Sequence, residues 1–333
     1  MRGMDPAAAA AALGLGALRG PAEALKRDEH SPVWRLDTDS GTWVVKATVP
    51  HGDYWHADVA QTGRLEAAAW RAGVDMAEPL VPAGAASGLW VAVGGGAYAR
   101  AARFLDGRHA PAPVPPRLAA WAGATFAALE RLAVAPDPSG AGDYASRFHP
   151  ESDWDEWLGQ ARDLGVLDTA QAGALKDAAM RIAALGEAAE KPAEVVVHGD
   201  FSHLNIMVTP EGPKLIDFDS GGPNVPWWEL VAIAVEMGAP ALGVMEPDRA
   251  SVEACVAGYA AAGGTPGPAD ESAFTGILTG RLASTAWQLW MACGHRGGSA
   301  AQRAQFGRDV RASVTALTTM LEAVPTWAAW LKG

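Results

Sequence analysis

Residues 195–219 read VVVHGDFSHLNIMVTPEGPKLIDFD, and the fold is decided there. Three short apolar runs, Val195-Val196-Val197, Ile206-Met207-Val208 and Lys214-Leu215-Ile216, read as strands, with Pro210-Glu211-Gly212 as a turn between the last two. Among them stand His198, Asp200, Asn205 and Asp217, the pattern H-x-D-x-x-x-x-N followed by an apolar strand that carries an aspartate. Phosphoryl transfer asks for this set: one carboxylate facing the attacking hydroxyl, and an amide oxygen plus a second carboxylate to hold Mg²⁺ against phosphates. Short strands fix such groups at the rim of a cleft more rigidly than loops do.

Upstream, residues 33–38 and 42–49 are rich in β-formers, and Asp39-Ser40-Gly41 between them has turn chemistry, so they predict a hairpin. Its second strand holds Lys46 inside the apolar run Trp43-Val44-Val45-Lys46-Ala47. A strand lysine ordinarily faces solvent. The helical run Arg64-Leu65-Glu66-Ala67-Ala68-Ala69-Trp70 alters that reading, because a strand lysine on nucleotide phosphates is oriented in kinase-type sites by a helix glutamate, here Glu66. Gly94-Gly95-Gly96 lies between two predicted strands, 89–93 and 98–105, and reads as a hairpin connection. The sequence G-x-x-x-x-G-K-[ST] does not occur, and Gly14, Gly16 and Gly20 miss the dinucleotide spacing by one residue.

Phe104-Leu105-Asp106-Gly107 and the proline-rich run 111–116 mark a boundary. Beyond it, residues 117–134, 169–190, 271–290 and 301–331 show helical spacing, and an opening segment, 6–15, reads as a short helix before a strand over 17–25. The expected fold is α+β, with a small N-terminal lobe of antiparallel sheet plus helix (1–105) for the nucleotide. A larger, mostly helical lobe (106–333) would carry the catalytic loop and the acceptor site. At 333 residues the chain exceeds the usual size of a single core.

Composition narrows the partners. Hydrophobic residues make up 49% and charged residues 19%, and the formal net charge is −12. An acidic surface repels nucleic acid and anionic membrane, and is compatible with a cationic small molecule. Cys255 and Cys293 offer neither metal spacing nor a disulfide framework, which fits a reduced, cytoplasmic setting. The alanine-rich run 7–18 is too short to span a bilayer, and its weak hydrophobicity after Asp5 and Pro6 makes a poor signal peptide.

Four elements in order, VVK at 44–46, Glu66 in RLEAAAW, HGDFSHLN at 198–205 and LIDFD at 215–219, carry a resemblance. The chain resembles the aminoglycoside phosphotransferase and choline kinase family, which shares the bilobal protein-kinase-like fold. The resemblance implies transfer of the γ-phosphoryl group of ATP or GTP to a small-molecule hydroxyl. Asp200 then corresponds to the catalytic aspartate, Asn205 and Asp217 to the Mg²⁺ ligands, Lys46 to the phosphate-binding lysine and Glu66 to its partner. His198 corresponds to a brace of the catalytic loop, and Asp219 to a support that either meets a second metal's water shell or caps the next segment of chain. Two departures stand out. Residues 26–32 contain no glycine where the family has a small-residue phosphate loop, leaving Ser31 as the phosphate contact there, and Glu229 stands where relatives commonly have aspartate.

For the acceptor, Asp143, Glu151, Asp153, Asp155 and Glu156 crowd around a single Arg147. In related antibiotic kinases an acidic segment gathers a polycationic substrate. The other reading is a helix capped by Ser152 with acids in its first turn. Of 14 tryptophans, Trp287 and Trp290 lie three apart on one helix face, as core or as an aromatic wall for the acceptor. Asp153, Asp155, Glu156 and Trp287 are therefore the candidate acceptor residues. Three functions are compatible with these residues: phosphorylation of an aminoglycoside or other basic antibiotic, a metabolite kinase for choline, a sugar or an amino alcohol, or a nucleotide-binding protein without catalysis.

Overall fold

The structure is a computed structural model that describes residues 4–26, 31–50, 52, 54–82, 88–140, 149–188, 193–241, 244, 246–295 and 297–332. Its elements in chain order are α1 (Pro6–Ala12), β1 (Glu23–Lys26), β2 (Val33–Thr38), β3 (Gly41–Thr48), α2 (Trp55–Arg71), β4 (Val91–Gly94), β5 (Ala97–Arg103) and β6 (Arg108–His109). There follow α3 (Pro116–Glu130), α4 (Glu151–Asp163), α5 (Thr169–Ala188), β7 (Val195–Val197), β8 (Ile206–Thr209), β9 (Gly212–Leu215) and β10 (Gly222–Asn224). Four helices complete the chain: α6 (Pro226–Gly238), α7 (Arg249–Ala261), α8 (Thr275–Cys293) and α9 (Ala300–Trp330).

Two compact units account for these elements. One comprises Met1–Val114, Ala124–Gly142 and Glu194–Asn224, and the other Pro115–Gly123, Asp143–Ala193 and Val225–Gly333. Compactness therefore does not follow a single cut at residue 105: the 195–219 segment belongs with the N-terminal sheet. The first unit holds a five-stranded antiparallel sheet in the order β1-β2-β3-β5-β4, a three-stranded sheet β6-β8-β9 and the pair β10-β7. The second unit is helical.

The period-two alternation of strands divides the labour of the large sheet. Trp34 and Leu36 of β2, Trp43, Val45 and Ala47 of β3, and Ala99 and Ala101 of β5 are buried together with Ala9, Ala10 and Leu13 at α1. Full burial of a large apolar side chain stabilises by about 1.5–3 kcal/mol, so this one face anchors the sheet. The opposite face of β3 and β5 is left to Val44, Lys46, Arg100 and Ala102, with Lys46 paired directly to Arg100 in the register.

Several boundaries differ from the sequence expectation for local reasons. Helix α1 stops at Ala12, and Gly14 follows at φ 69°, a left-handed value. The strand expected over 17–25 is reduced to a bridge between Leu18 and Thr38 plus the short β1, because Gly20 and Pro21 interrupt it. Helix α4 has Pro150, not Ser152, at its N-cap, with Glu151 and Asp153 in its first turn. In the helical unit α3 and α7 cross nearly backbone to backbone: a Cβ on Gly123 would lie 1.9 Å from the Cys255 carbonyl oxygen, and one on Gly258 2.1 Å from that of Ala120. Among the described residues no helix is long and apolar enough to cross a membrane.

Helix α2 carries a local electrostatic cost. Burial raises the Asp58 carboxyl to about 6, Gln61 opposes this by donating a hydrogen bond at 3.2 Å, and the Asp137 charge adds to it. A carboxyl raised in the folded state retains a proton that the unfolded chain releases, so stability falls as pH rises from about 4 to 6 and stays lower above that window. Asp58→Asn is expected to raise the melting temperature at pH 7.5, by about 1 kcal/mol of stability once solvent screening is allowed for, and to give no gain at pH 3.5. Thermal unfolding at the two pH values checks the sign.

Candidate active site

Register places the expected chemistry. The β8–β9 pairing sets Ile206 opposite Leu215, and the next step outward is closed by the Ile216 N–H donating to the Asn205 carbonyl at 3.0 Å. Asn205 and Asp217 consequently leave the same end of one hairpin. The hairpin is tied to the segment before β4 by the Leu215 N–H donating to the Asp75 carbonyl (2.9 Å) and the Ala77 N–H to the Leu215 carbonyl (3.1 Å). Asp217 itself is left-handed, at φ 65° and ψ 68°, a conformation that aspartate tolerates better than most side chains and that re-aims it at the end of the strand.

The catalytic-loop segment is held from inside. His198 is fully buried, its Nε2 donating to the Ile216 carbonyl at 3.0 Å while its Nδ1 accepts from the Asp200 N–H at 3.3 Å. Burial lowers this imidazole to about 4, so it is neutral in one tautomer and braces rather than exchanges protons. Asn205 donates its amide nitrogen to both the Asp200 carbonyl (2.7 Å) and Asp200 Oδ2 (2.9 Å). Asp200 is exposed, and this pair of hydrogen bonds fixes its direction.

The cationic side of the site differs from expectation. Lys46 Nζ pairs with Asp217 Oδ1 and, at 2.9 Å, with Asp219 Oδ2. The expected Lys46–Glu66 pair is not formed, because Arg100 stands beside Lys46 in the sheet and takes Glu66 Oε1 through Nη2, while its Nη1 takes Asp219 Oδ1. Arg100 and Glu66 are only 6% and 3% exposed, and among the described residues Glu66 Oε2 has no hydrogen-bond partner. Burial raises the Glu66 carboxyl above its usual range, Arg100 opposing this. For Asp219 burial also acts upward, but the Arg100 and Lys46 charges outweigh it and hold the carboxyl well below the usual range. Lys46 is raised, the two aspartates overcoming its own burial.

These groups line a cleft of about 550 Å³. Its apolar wall includes Val33, Val44, Met76, Ala102, Phe104, Met207 and Leu215, a setting for a flat ring. Ser31 lines it too, whereas the loop residues 27–30 lie outside the described residues. Among the described residues no three or more His, Cys, Asp or Glu side chains form a metal cluster. Mg²⁺ needs less, since it commonly keeps waters and phosphate oxygens and takes one or two protein donors. The donor set fits: Lys46 uses Asp217 Oδ1 and Asn205 commits its nitrogen to Asp200, which leaves Asp217 Oδ2 and Asn205 Oδ1 as hard oxygens.

The expected acceptor residues lie in the helical unit. Asp155 is 2.6 Å and Glu151 2.9 Å from Lys176 Nζ, so two acids of the cluster are already countered by a cation the sequence reading did not connect to them. Asp153 is 3.9 Å from His149 Nδ1, and Glu156 is exposed. Trp287 is half-buried, while Trp290 stacks edge-on with Trp157 and His149 at centroid distances of 4.9 and 5.7 Å. Asp143 and Arg147 lie outside the described residues, and Glu229 is buried in the first turn of α6. The residue that sequence reasoning missed is Arg100. Its position in YARAAR gives no signal until the β3–β5 register pairs it with Lys46.

A sequence model of the phosphotransferase enzyme family matches residues 21–273, and the chain belongs to that family. It is thus a small-molecule phosphotransferase with an alcohol group as acceptor. Among solved structures, a choline/ethanolamine kinase family protein from Mesorhizobium loti is 21% identical over 98% of this chain and 97% of its own, with a TM-score of 0.59. A microcompartment-associated aminopropanol kinase is 17% identical over 96% and 97%, with a TM-score of 0.64. A spectinomycin phosphotransferase solved with ADP and spectinomycin is 12% identical over 91% and 94%, with a TM-score of 0.60. At these identities the likeness is one of fold, the protein-kinase-like arrangement of an N-terminal antiparallel sheet and a mostly helical C-terminal part. Comparison with curated protein sequences gives no match.

Gly199 offers a test of the geometry. It sits at φ 75°, and a Cβ there would lie 2.2 Å from the Ser220 carbonyl oxygen. Gly199→Ala is expected to push the Asp200 loop off the 218–221 turn and to lower turnover by about 10²-fold or more, the scale of an ångström-level misplacement. Steady-state kinetics on the folded variant checks this.

Proposed function

We propose that the protein transfers the γ-phosphoryl group of ATP, or of GTP, to a hydroxyl of a small amine-bearing acceptor, in the cytoplasm where these nucleotides are abundant. The observation that carries this reading is the pair of hydrogen bonds from the Asn205 amide nitrogen to Asp200, which orients a carboxylate and leaves the amide oxygen uncommitted by them, at the end of the hairpin from which Asp217 also leaves. In this division of labour, residues 1–105 bind the nucleotide, with Lys46, Ser31 and Glu66 on the phosphate side. Residues 106–333 supply the catalytic loop and the acceptor site.

Each residue has a physical task. Asp200 receives the hydrogen bond of the acceptor hydroxyl and takes its proton as the acceptor oxygen bonds to the γ-phosphorus and the bond from that phosphorus to the β–γ bridging oxygen breaks, releasing the nucleoside diphosphate. Lys46 neutralises phosphate charge, and Asn205 with Asp217 would hold Mg²⁺. When bound, that ion offsets the negative charge spread over the transferring group. His198 keeps the Asp200 backbone in place and stays neutral while it does so. The tied Asp219 keeps Lys46 close to Asp217.

An aminoglycoside or another basic antibiotic is the first acceptor class. The net charge of −12 and a spectinomycin phosphotransferase among proteins of the same fold support it. Lys176 gives a second reading its footing: by countering Glu151 and Asp155 it leaves fewer acids for a polycation, which suits a monocationic amino alcohol. The aminopropanol kinase and the choline/ethanolamine kinase family protein share the fold as well.

Asp200→Ala is expected to reduce turnover by about 10²–10⁴-fold with nucleotide affinity nearly unchanged. Wild-type turnover in that variant contradicts the assignment. For the acceptor, Asp153→Asn and Glu156→Gln leave the Lys176 pairs intact. Together they are expected to raise the Michaelis constant for cationic acceptors by about 5-fold, the effect of losing about 1 kcal/mol of partly screened attraction. An unchanged constant removes the α4 acids from the acceptor site.

A further inference from the structure

Arg100 is the charged group that the phosphoryl-transfer reading leaves without a task. It is 6% exposed, lies on the cleft face of β5 directly opposite Lys46, and bridges two carboxylates through separate nitrogens, Nη2 to Glu66 Oε1 and Nη1 to Asp219 Oδ1. The planar fork of arginine can hold two carboxylates at once, which a lysine ammonium cannot do with the same geometry. Asp219, so far assigned only the task of keeping Lys46 close to Asp217, is the second group. Standing two residues beyond Asp217 in Asp217-Phe218-Asp219, it has the chemistry of a further metal ligand.

The contacts decide between a ligand and a counter-ion. Both oxygens of Asp219 are held by cations, Oδ1 by Arg100 and Oδ2 by Lys46 at 2.9 Å. Among the described residues, Asp217 has only Oδ1 so engaged. For Asp219 to ligate a metal ion through Oδ1, a buried guanidinium would have to give up one of its two partners, which is strongly unfavourable, and through Oδ2 the carboxylate would have to release Lys46 while Arg100 still holds it by the other oxygen. Arg100 also holds Glu66 by one oxygen, so the helix glutamate is fixed independently of where Lys46 points.

We propose that Arg100 is a positioning residue that withdraws Asp219 from the metal-binding set, restricting the protein's metal ligands to Asn205 and Asp217. The proposal rests on the assignment of those two residues as the metal ligands. In the absence of Arg100, Asp219 becomes an available hard-oxygen donor next to Asp217, and the site gains capacity for a divalent cation. In this role the residue acts through Asp219 and Glu66.

The test is binding of Mn²⁺ alone to the nucleotide-free full-length protein, followed by electron paramagnetic resonance of the free ion, beside thermal unfolding of each variant. Arg100→Met is expected to bind Mn²⁺ about tenfold more tightly than wild type, from one added carboxylate ligand and one removed cation. Asp219→Asn in the Arg100→Met background is expected to abolish the gain. Asp219→Asn alone, which keeps Arg100 paired with Glu66, is expected to change Mn²⁺ affinity by less than about threefold while lowering the melting temperature, because it removes a counter-ion and not a ligand. This variant tests the proposal even where Arg100→Met does not fold. A gain that survives Asp219→Asn, an affinity indifferent to Arg100→Met, or a tenfold loss in Asp219→Asn alone overturns it. Asp217→Ala separates the two levels. Mn²⁺ binding that ignores Asp217 overturns the metal site and this inference with it, whereas binding that needs Asp217 but ignores Arg100 overturns this inference alone.

Discussion

The constraint on which the site depends is the burial of the Arg100 guanidinium. A cation 6% exposed cannot stand alone in a protein interior, and Arg100 is met by Glu66 from α2 and Asp219 from the turn after β9. Three elements distant in sequence are thereby pinned to one point on the sheet. Lys46, its neighbour in the register, extends the chain of charge to Asp217. Such an array contributes little net stability compared with apolar packing, because desolvation of the charged groups offsets most of their attraction. What it contributes is position: the groups that would meet phosphate and metal are held by one another before any ligand arrives.

The apolar side of the same strands supplies the stability that the charged side lacks. Trp43, Val45, Ala47, Ala99 and Ala101 are buried with α1 on one face, so the alternation of β3 and β5 delivers Lys46 and Arg100 to the other. The second fixed point is the β8–β9 hairpin, whose register carries Asn205 and Asp217 to one end, and the neutral His198 ties that end to the Asp200 backbone. Gly199 and Gly221 permit the two backbone segments to approach: a Cβ on Gly221 would lie 2.7 Å from the Val197 carbonyl oxygen.

Much of this was legible in the sequence where signals are local. The strands of 195–219, the 33–38 hairpin arm and the long helices of the C-terminal part follow from period and turn residues, and the spacing of His198, Asp200, Asn205 and Asp217 follows from the catalytic pattern itself. The partner of Glu66 was not legible, because it depends on a cross-strand register that pairs Lys46 with Arg100, residues far apart in the chain. Lys176 was missed for the same reason, as its tie to Glu151 and Asp155 is made between two helices. Helices α6 and α7 escaped because their apolar residues surround the helix or are diluted by alanine and glycine, which blurs the periodicity that reveals an amphipathic face.

The central claim is that residues 195–219 carry phosphoryl transfer to a small-molecule hydroxyl. Phosphorus NMR of the protein incubated with Mg²⁺, ATP and a panel of aminoglycosides, other basic antibiotics, choline and simple amino alcohols tests it most directly. The account predicts a new phosphomonoester resonance on at least one amine-bearing acceptor, formed in step with ADP and absent when Asp200 is replaced by alanine. Nucleotide binding without a phosphomonoester on any hydroxyl of the panel, or an ester formed equally well without Asp200, would contradict it.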